Sequence, residues 1–292
     1  MTKRQANVIL LAITIVWGLA FVAQRSGSEH MSALSFNAAR FLLGGSLVAM
    51  YSLWKTPCVR SCSNFCLTRD GLILGCTLTL AALLQQHGVS QTSTANVSFL
   101  TIMNVIFVPM LARFIGYAPR LLEIVGAGMA VVGAYFMSVE GDFSVRSGDW
   151  WVLGSALFWA LHILLISLRA HLHNPLKLAS EQFLVCGIMS TIGAFALEDI
   201  HSQNITAALP AILFAGAISV AVAYTLQVVA QRYVTPSHAV IILSLEGVFG
   251  ALAGWLLCGE SMSVRAMAGA SILTLGVVVA QMHTATSSAK NT

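Results

Sequence analysis

Long apolar runs, each about the length of a bilayer crossing, follow one another along this chain, with short polar stretches between them. The pattern is neither the strict alternation of a half-buried strand nor the single apolar stripe of a soluble helix. A membrane-spanning helix needs about 20 apolar residues. Ten runs qualify, at approximately residues 7–24, 34–54, 71–88, 94–113, 119–139, 149–169, 177–197, 208–229, 237–258 and 264–283. Each is expected to be helical, because hydrocarbon cannot satisfy an open backbone. Gly and Pro mark several of the connecting stretches.

The runs also repeat. Trp17 recurs as Trp159, Phe41-Leu42 as Phe183-Leu184, Gly45 as Gly187, and Leu84-Gln85 as Leu226-Gln227, about 142 residues apart. With one residue of slippage, Gly116, Gly126 and Gly133 recur as Gly259, Gly269 and Gly276. The expected organisation is a first unit over 1–140, a second over 149–285 and a short tail at 286–292. Each unit holds five spans. Five is odd, so the second copy enters the membrane from the opposite side. The expected fold is an all-α integral membrane protein of ten transmembrane helices in two inverted-topology five-helix repeats. Such repeats are common in secondary transporters, with the substrate site near the midplane between them.

Composition agrees with a membrane class: the 292 residues are 57% hydrophobic and 9% charged, against about 25% charged in soluble domains. The net charge of +4 is therefore read as topology rather than as nucleic-acid binding. With a cytoplasmic N-terminus, the inner segments carry Lys3, Arg4, Lys55, Arg60, Arg69, Arg113, Arg120, Arg169, Lys177, Arg232 and Lys290, and the outer segments only Arg25, Arg146 and Arg265. That bias puts both termini in the cytoplasm. The first apolar run follows Lys3-Arg4 as a signal peptide would, but no small-x-small cleavage site follows it.

Four stretches carry a family resemblance: Val16-Trp17-Gly18-Leu19-Ala20-Phe21, Phe36-Asn37-Ala38-Ala39-Arg40-Phe41-Leu42, Thr92-Ser93-Thr94-Ala95-Asn96, and Leu257-Cys258-Gly259-Glu260 followed by Gly269 and Gly276. In order and spacing the chain resembles EamA-type members of the drug/metabolite transporter superfamily, over almost its whole length. The resemblance implies two EamA repeats around a central cavity and the movement of a small metabolite, in many members the export of amino acids or related compounds across the bacterial inner membrane. The sequence departs from the pattern where Gly116-Tyr117 replaces Gly-Glu in the first half, where Gly247 stands at a position often held by proline, and at Pro109.

Candidate binding residues follow from polar and aromatic positions inside the spans. Glu246 lies mid-span. A carboxylate there costs roughly 2.5–3.5 kcal/mol on insertion scales and by default marks a functional site. It is the candidate proton carrier; the alternative is a structural carboxyl tying two helices together. Its repeat counterpart is Asn104. Arg40 either attracts or clamps a carboxylate, or snorkels to the outer interface or braces a loop, and its counterpart is Gln182. Trp17, Phe21 and Gln24 share one helical face at i, i+4 and i+7, and Trp159 with His162 makes a similar patch. These are cavity walls or helix packing. Tyr224, Gln227 and Gln231 form a polar stripe at i, i+3 and i+7, and Gln85 is the counterpart of Gln227. Amides of this kind either hold substrate or glue helices. The substrate-binding set is therefore Trp17, Phe21, Gln24, Arg40, Gln85, Asn104, Trp159, His162, Tyr224, Gln227 and Glu246.

The glycines of spans five and ten permit close helix approach, within the chain or in a homodimer. Cys58, Cys62 and Cys66 recur every four residues without clustered His or Asp, so no metal is expected, and no cofactor. No Gly-Lys-Ser/Thr phosphate loop is present, so ATP-driven pumping by this chain is not expected. The leading reading is a secondary transporter of a small amphipathic metabolite, an exporter, with the solute and the lipid bilayer as partners. A passive facilitator is the alternative, and an intramembrane enzyme on lipid-linked substrates is the more distant one. The latter needs a pair such as Glu246 with His162 or His87, and nothing in the sequence joins them.

Overall fold

The computed structural model describes residues 1–55, 67–92, 94–138, 147–200, 202–258 and 263–288; at 94–96, 98, 202, 203 and 283–288 it describes the backbone alone. Cys58, Cys62, Cys66, Gly259 and Glu260 lie outside the described residues.

Helices start where local chemistry satisfies their first amides. Thr2 and Gln5 form a reciprocal capping box ahead of α1 (Lys3–Ser28). α2 is Ala33–Lys55. The Thr68 side chain accepts the Gly71 amide at the start of α3 (Arg69–Val89). α4 (Thr94–Ile102), α5 (Asn104–Phe114) and α6 (Leu121–Ser138) complete the first half. In the second half α7 is Ser147–Arg169, and Asn174 caps α8 (Pro175–Leu197), whose first residue is a proline that has no amide hydrogen to lose. Short helices α9 (Ser202–Ala207) and α10 (Leu209–Leu213) lead into a π-helical stretch, Phe214–Tyr224, and then α11 (Thr225–Ala230). Thr235 and Pro236 open α12 (Pro236–Leu243) in the same way, followed by α13 (Glu246–Cys258) and α14 (Val264–Ser288).

Among the described residues, eight helical stretches are long and apolar enough to cross a membrane, and Phe99–Phe114 and Leu121–Met137 are shorter apolar helices. The outer surface is apolar, with Phe114, Phe195, Leu197 and Val264 largely exposed. The interior holds Arg40, Asn37, Gln182, His162 and Gln227 beside Phe36, Phe41 and Phe183. An exposed apolar exterior of this extent needs a lipid partner.

The sequence pattern predicts spans four and nine as single helices. Both are interrupted, at equivalent places. The Met103 amide donates to the Leu100 carbonyl at 3.2 Å, and the Leu245 amide donates to the Ile242 carbonyl at 3.1 Å. These i−3 bonds tighten one turn. A new helix then begins on each side, and its first residue is Asn104 in one half and Glu246 in the other.

The two most extensive contacts between the halves are reciprocal. Between α6 and α14, a Cβ added to Gly126 would lie 2.5 Å from the Gly276 carbonyl, and one added to Gly133 would lie 2.6 Å from the Gly269 carbonyl. Between α2 and α8, Gly45 packs on Leu184 and Gly187 on Leu42. Residue i of one half touches the copy of j, and j touches the copy of i, the signature of a two-fold relation. The order of contacts runs in opposite senses along the two helices, so each pair is antiparallel. Gly126 and Gly133 of span five therefore meet Gly269 and Gly276 of span ten inside one chain, while Gly128 faces open space.

Candidate functional site

A narrow cavity lies on this two-fold relation. It is lined by Trp17, Ala20, Phe21, Gln24, Gln85, Thr101, Asn104, Trp159, Ile163, Ser219, Tyr224, Gln227, Leu243 and Glu246, and has about 40 Å³ of free space, room for only a few waters. Ten of these fourteen residues are five pairs under the repeat: Trp17/Trp159, Phe21/Ile163, Gln85/Gln227, Thr101/Leu243 and Asn104/Glu246. Ala20, Gln24, Ser219 and Tyr224 are unmatched, since their counterparts His162, Ile166, Thr77 and Ala82 do not line it.

The helix breaks position the central pair. Asn104 and Glu246 sit on the first turns of α5 and α13, where the helix dipole favours negative charge. Gly18 lets α13 close on α1 beside this point, since a Cβ there would lie 2.6 Å from the Phe249 Cβ. Glu246 is 9% exposed and, among the described residues, has no hydrogen-bond or ion-pair partner. It is the one acid in the lining, which contains no Lys or Arg.

Tyr224 packs against both indoles of the lining. Its ring lies 4.6 Å from Trp17 and 5.9 Å from Trp159, centroid to centroid. Both indole N–H groups are buried without a partner, as are Gln24 Oε1, Asn104 Oδ1 and Gln227 Oε1. The Gln85 amide donates to the Thr101 hydroxyl at 3.2 Å. Unpartnered buried polar atoms carry a desolvation cost unless something occupies the space they face. A ligand that offers both donors and acceptors would satisfy them.

Nine of the eleven residues singled out in the sequence line this cavity. Arg40 and His162 do not. The His162 ring is fully buried behind Trp159, with ring centroids 6.0 Å apart, and lies 2.7 Å from Gln182 Oε1; among the described residues it makes no pair with Glu246. Arg40 is 2% exposed. It neither snorkels nor reaches the cavity; its guanidinium lies 4.8 Å from the Phe41 ring centroid, and its Nε donates to Asn37 Oδ1 at 2.9 Å. Gln231 leaves the polar stripe to bond the Ile163 carbonyl and the Ser167 hydroxyl.

Ala20, Thr101, Ile163, Ser219 and Leu243 complete the lining without having been singled out. Applying the repeat to Phe21 gives Ile163, and Thr101 lies three residues before Asn104. Ser219 is five residues from Tyr224, a spacing that shares a face only in the wider π-helical turn.

Apolar exterior, helical crossings and internal duplication define a multi-pass membrane protein. Residues 5–139 and 146–282 each match the EamA-like transporter family, to which the chain belongs. It is 28% identical over 281 residues to an uncharacterized transporter of Archaeoglobus fulgidus, covering 95% of this chain and 86% of that one. It is 22% identical to an uncharacterized transporter of Methanothermobacter thermautotrophicus, with 96% and 87% covered. With the uncharacterized transporter YoaV of Bacillus subtilis it shares 20% identity, with 92% and 94% covered. A solved crystal structure superposes with a TM-score of 0.81 at 14% identity, over 95% of this chain and 96% of the other, and so shares the fold. The protein is a multi-pass membrane transporter rather than an enzyme.

Proposed function

We propose that the chain is a secondary transporter that exports a small amphipathic solute of the amino-acid kind by alternating access of two inverted five-helix repeats. The broken α4–α5 and α12–α13 each count as one crossing, which gives ten. Both termini then lie in the cytoplasm, and the membrane is the bacterial inner membrane. The repeats are proposed to run over about 1–140 and 149–285 with a short tail after them, beside family matches at 5–139 and 146–282. The antiparallel reciprocal contacts of α2 with α8 and of α6 with α14 support the inversion. A homodimer at α6 and α14 would use their outward faces, including Gly128, since Gly126, Gly133, Gly269 and Gly276 face each other.

One observation carries the site: five residue pairs exchanged by the repeat surround one cavity at two helix breaks. Rocking one repeat against the other around such a point opens it to each side in turn. Glu246 is proposed to bind the polar end of the solute and to carry the coupled proton. The indole N–H groups and the amides of Asn104 and Gln227 hold its remaining polar atoms, and Phe21, Ile163 and Leu243 hold its apolar part.

The test uses purified protein in liposomes loaded with a pH-sensitive dye, with amino acids added one at a time. A solute that moves protons through wild type and not through Glu246→Gln supports the reading. Equal proton movement through both removes Glu246 as carrier. Solute flux without proton movement in wild type selects the passive facilitator instead.

A further inference from the structure

Arg40 presents a physical problem that the cavity does not solve. It is a cation in the interior of a membrane protein, 2% exposed, and no carboxylate lies within ion-pair distance of it among the described residues. Its contacts are aromatic, at 4.8 Å from the Phe41 centroid and 5.6 Å from that of Phe36, and the amide of Asn37. Cation–π contacts offset part of the desolvation of a charge, but they supply no counter-charge.

The polar atoms left over here are donors. Arginine only donates, so the Asn37 oxygen must face its Nε, and the Asn37 NH2 must point elsewhere. That NH2 and the Arg40 Nη2 are both buried and unpartnered, and Asn37 itself is fully buried. One turn of α2 thus holds a net positive charge and two unused N–H donors. Tyr224 stands between this group and the cavity. Its ring lies 6.3 Å from that of Phe41, which carries the guanidinium on its face, and it lines the cavity with Glu246.

We propose that Arg40 and Asn37 form a buried anion-binding subsite behind Tyr224, which takes a small monovalent anion, either the carboxylate of the transported solute or a free inorganic ion. The carboxylate version rests on the function proposed above; the subsite itself does not. A solute with an amine at Glu246 and a carboxylate at Arg40 would displace Tyr224 from between them. This gives the asymmetry of the repeat a chemical meaning, since neither Arg40 nor Glu246 has a charged counterpart in the other half.

The test is thermal unfolding of the purified full-length protein in lipid nanodiscs, with acetate or chloride replacing gluconate, a six-carbon carboxylate too bulky for a seat this enclosed, at constant ionic strength. Wild type should show a saturable rise in Tm. A response to acetate and not chloride assigns the seat to a carboxylate; a response to both assigns it to small anions in general. Arg40→Met should lose the response. Asn37→Asp supplies the missing charge from within, so it should be insensitive to anions and, in gluconate, melt above wild type. This variant keeps the test decisive if Arg40→Met does not fold. Glu246→Gln should keep the response, which separates this proposal from the proton-carrier role. No saturable response in wild type, or the same midpoint in Asn37→Asp, overturns the subsite.

Discussion

Gly133 and Gly128 lie on the same helix, five residues apart, and should respond to alanine in opposite ways. A Cβ at Gly133 would sit 2.5 Å from the Leu273 amide nitrogen and 2.6 Å from the Gly269 carbonyl oxygen. Both are backbone atoms of α14 and cannot rotate away. Ordinary contact needs roughly 3.5 Å, so α6 and α14 must separate by close to an ångström, along the longest contact between the repeats. Overpacking of this kind costs about 1–3 kcal/mol. At Gly128 an added Cβ meets nothing within 4 Å. Alanine is the better helix former by about 1 kcal/mol, but that gain applies at both sites and cancels in the comparison. Gly133→Ala should therefore be about 1–3 kcal/mol less stable than Gly128→Ala, with Gly128→Ala at or above wild type. Unfolding in mixed micelles titrated with SDS, followed by tryptophan fluorescence, measures the difference. Equal stabilities, or Gly133→Ala the more stable of the two, would refute the claim that these glycines set the spacing of the halves.

Two further outcomes follow from the cavity and the helix starts. Asn104→Glu places a second carboxyl beside Glu246, where like charges disfavour each other's ionisation; solute flux in liposomes should fall at least about tenfold, equivalent to about 1.4 kcal/mol. Adding Glu246→Asn to that variant restores a single carboxyl on the pseudo-equivalent helix start and should recover flux, and a double variant as inactive as the single one would show that the two seats are not equivalent. Glu198 accepts the Leu34 and Ser35 amides at 2.9 and 2.8 Å and the Ser35 hydroxyl at 2.6 Å, so it caps α2 from the other repeat. Glu198→Ala should cost about 1–2 kcal/mol of stability in the same SDS titration, and no loss would show that solvent replaces this cap freely.

The repeat made much of the cavity readable from sequence. Trp17 with Trp159, Gln85 with Gln227, and Asn104 with Glu246 are visible as pairs, and a pair on a two-fold relation must either face its copy or avoid it. Arg40 and His162 could not be placed this way, because each stands opposite an unrelated side chain and its direction depends on packing of α2 against α8 and of α7 against its neighbours. The helix breaks left no signature either. Neither Met103 nor Leu245 is a glycine or proline, and Pro109 lies within α5, not at the break. Ser219 was hidden by the π-helical turn, which shifts the phase on which a stripe of side chains is counted.

The exchange of contacts between Gly126 and Gly276, and between Gly133 and Gly269, is self-complementary. A single five-helix unit could make the same contact with an identical copy of itself. Such a pair of identical units would have to place the same residue at both helix starts: two carboxyls in a space for a few waters, or none. Joining the units in one chain lifts that constraint, because each seat can then change alone. A lone acid opposite an amide, and a lone arginine opposite a glutamine, are arrangements that a pair of identical units cannot encode.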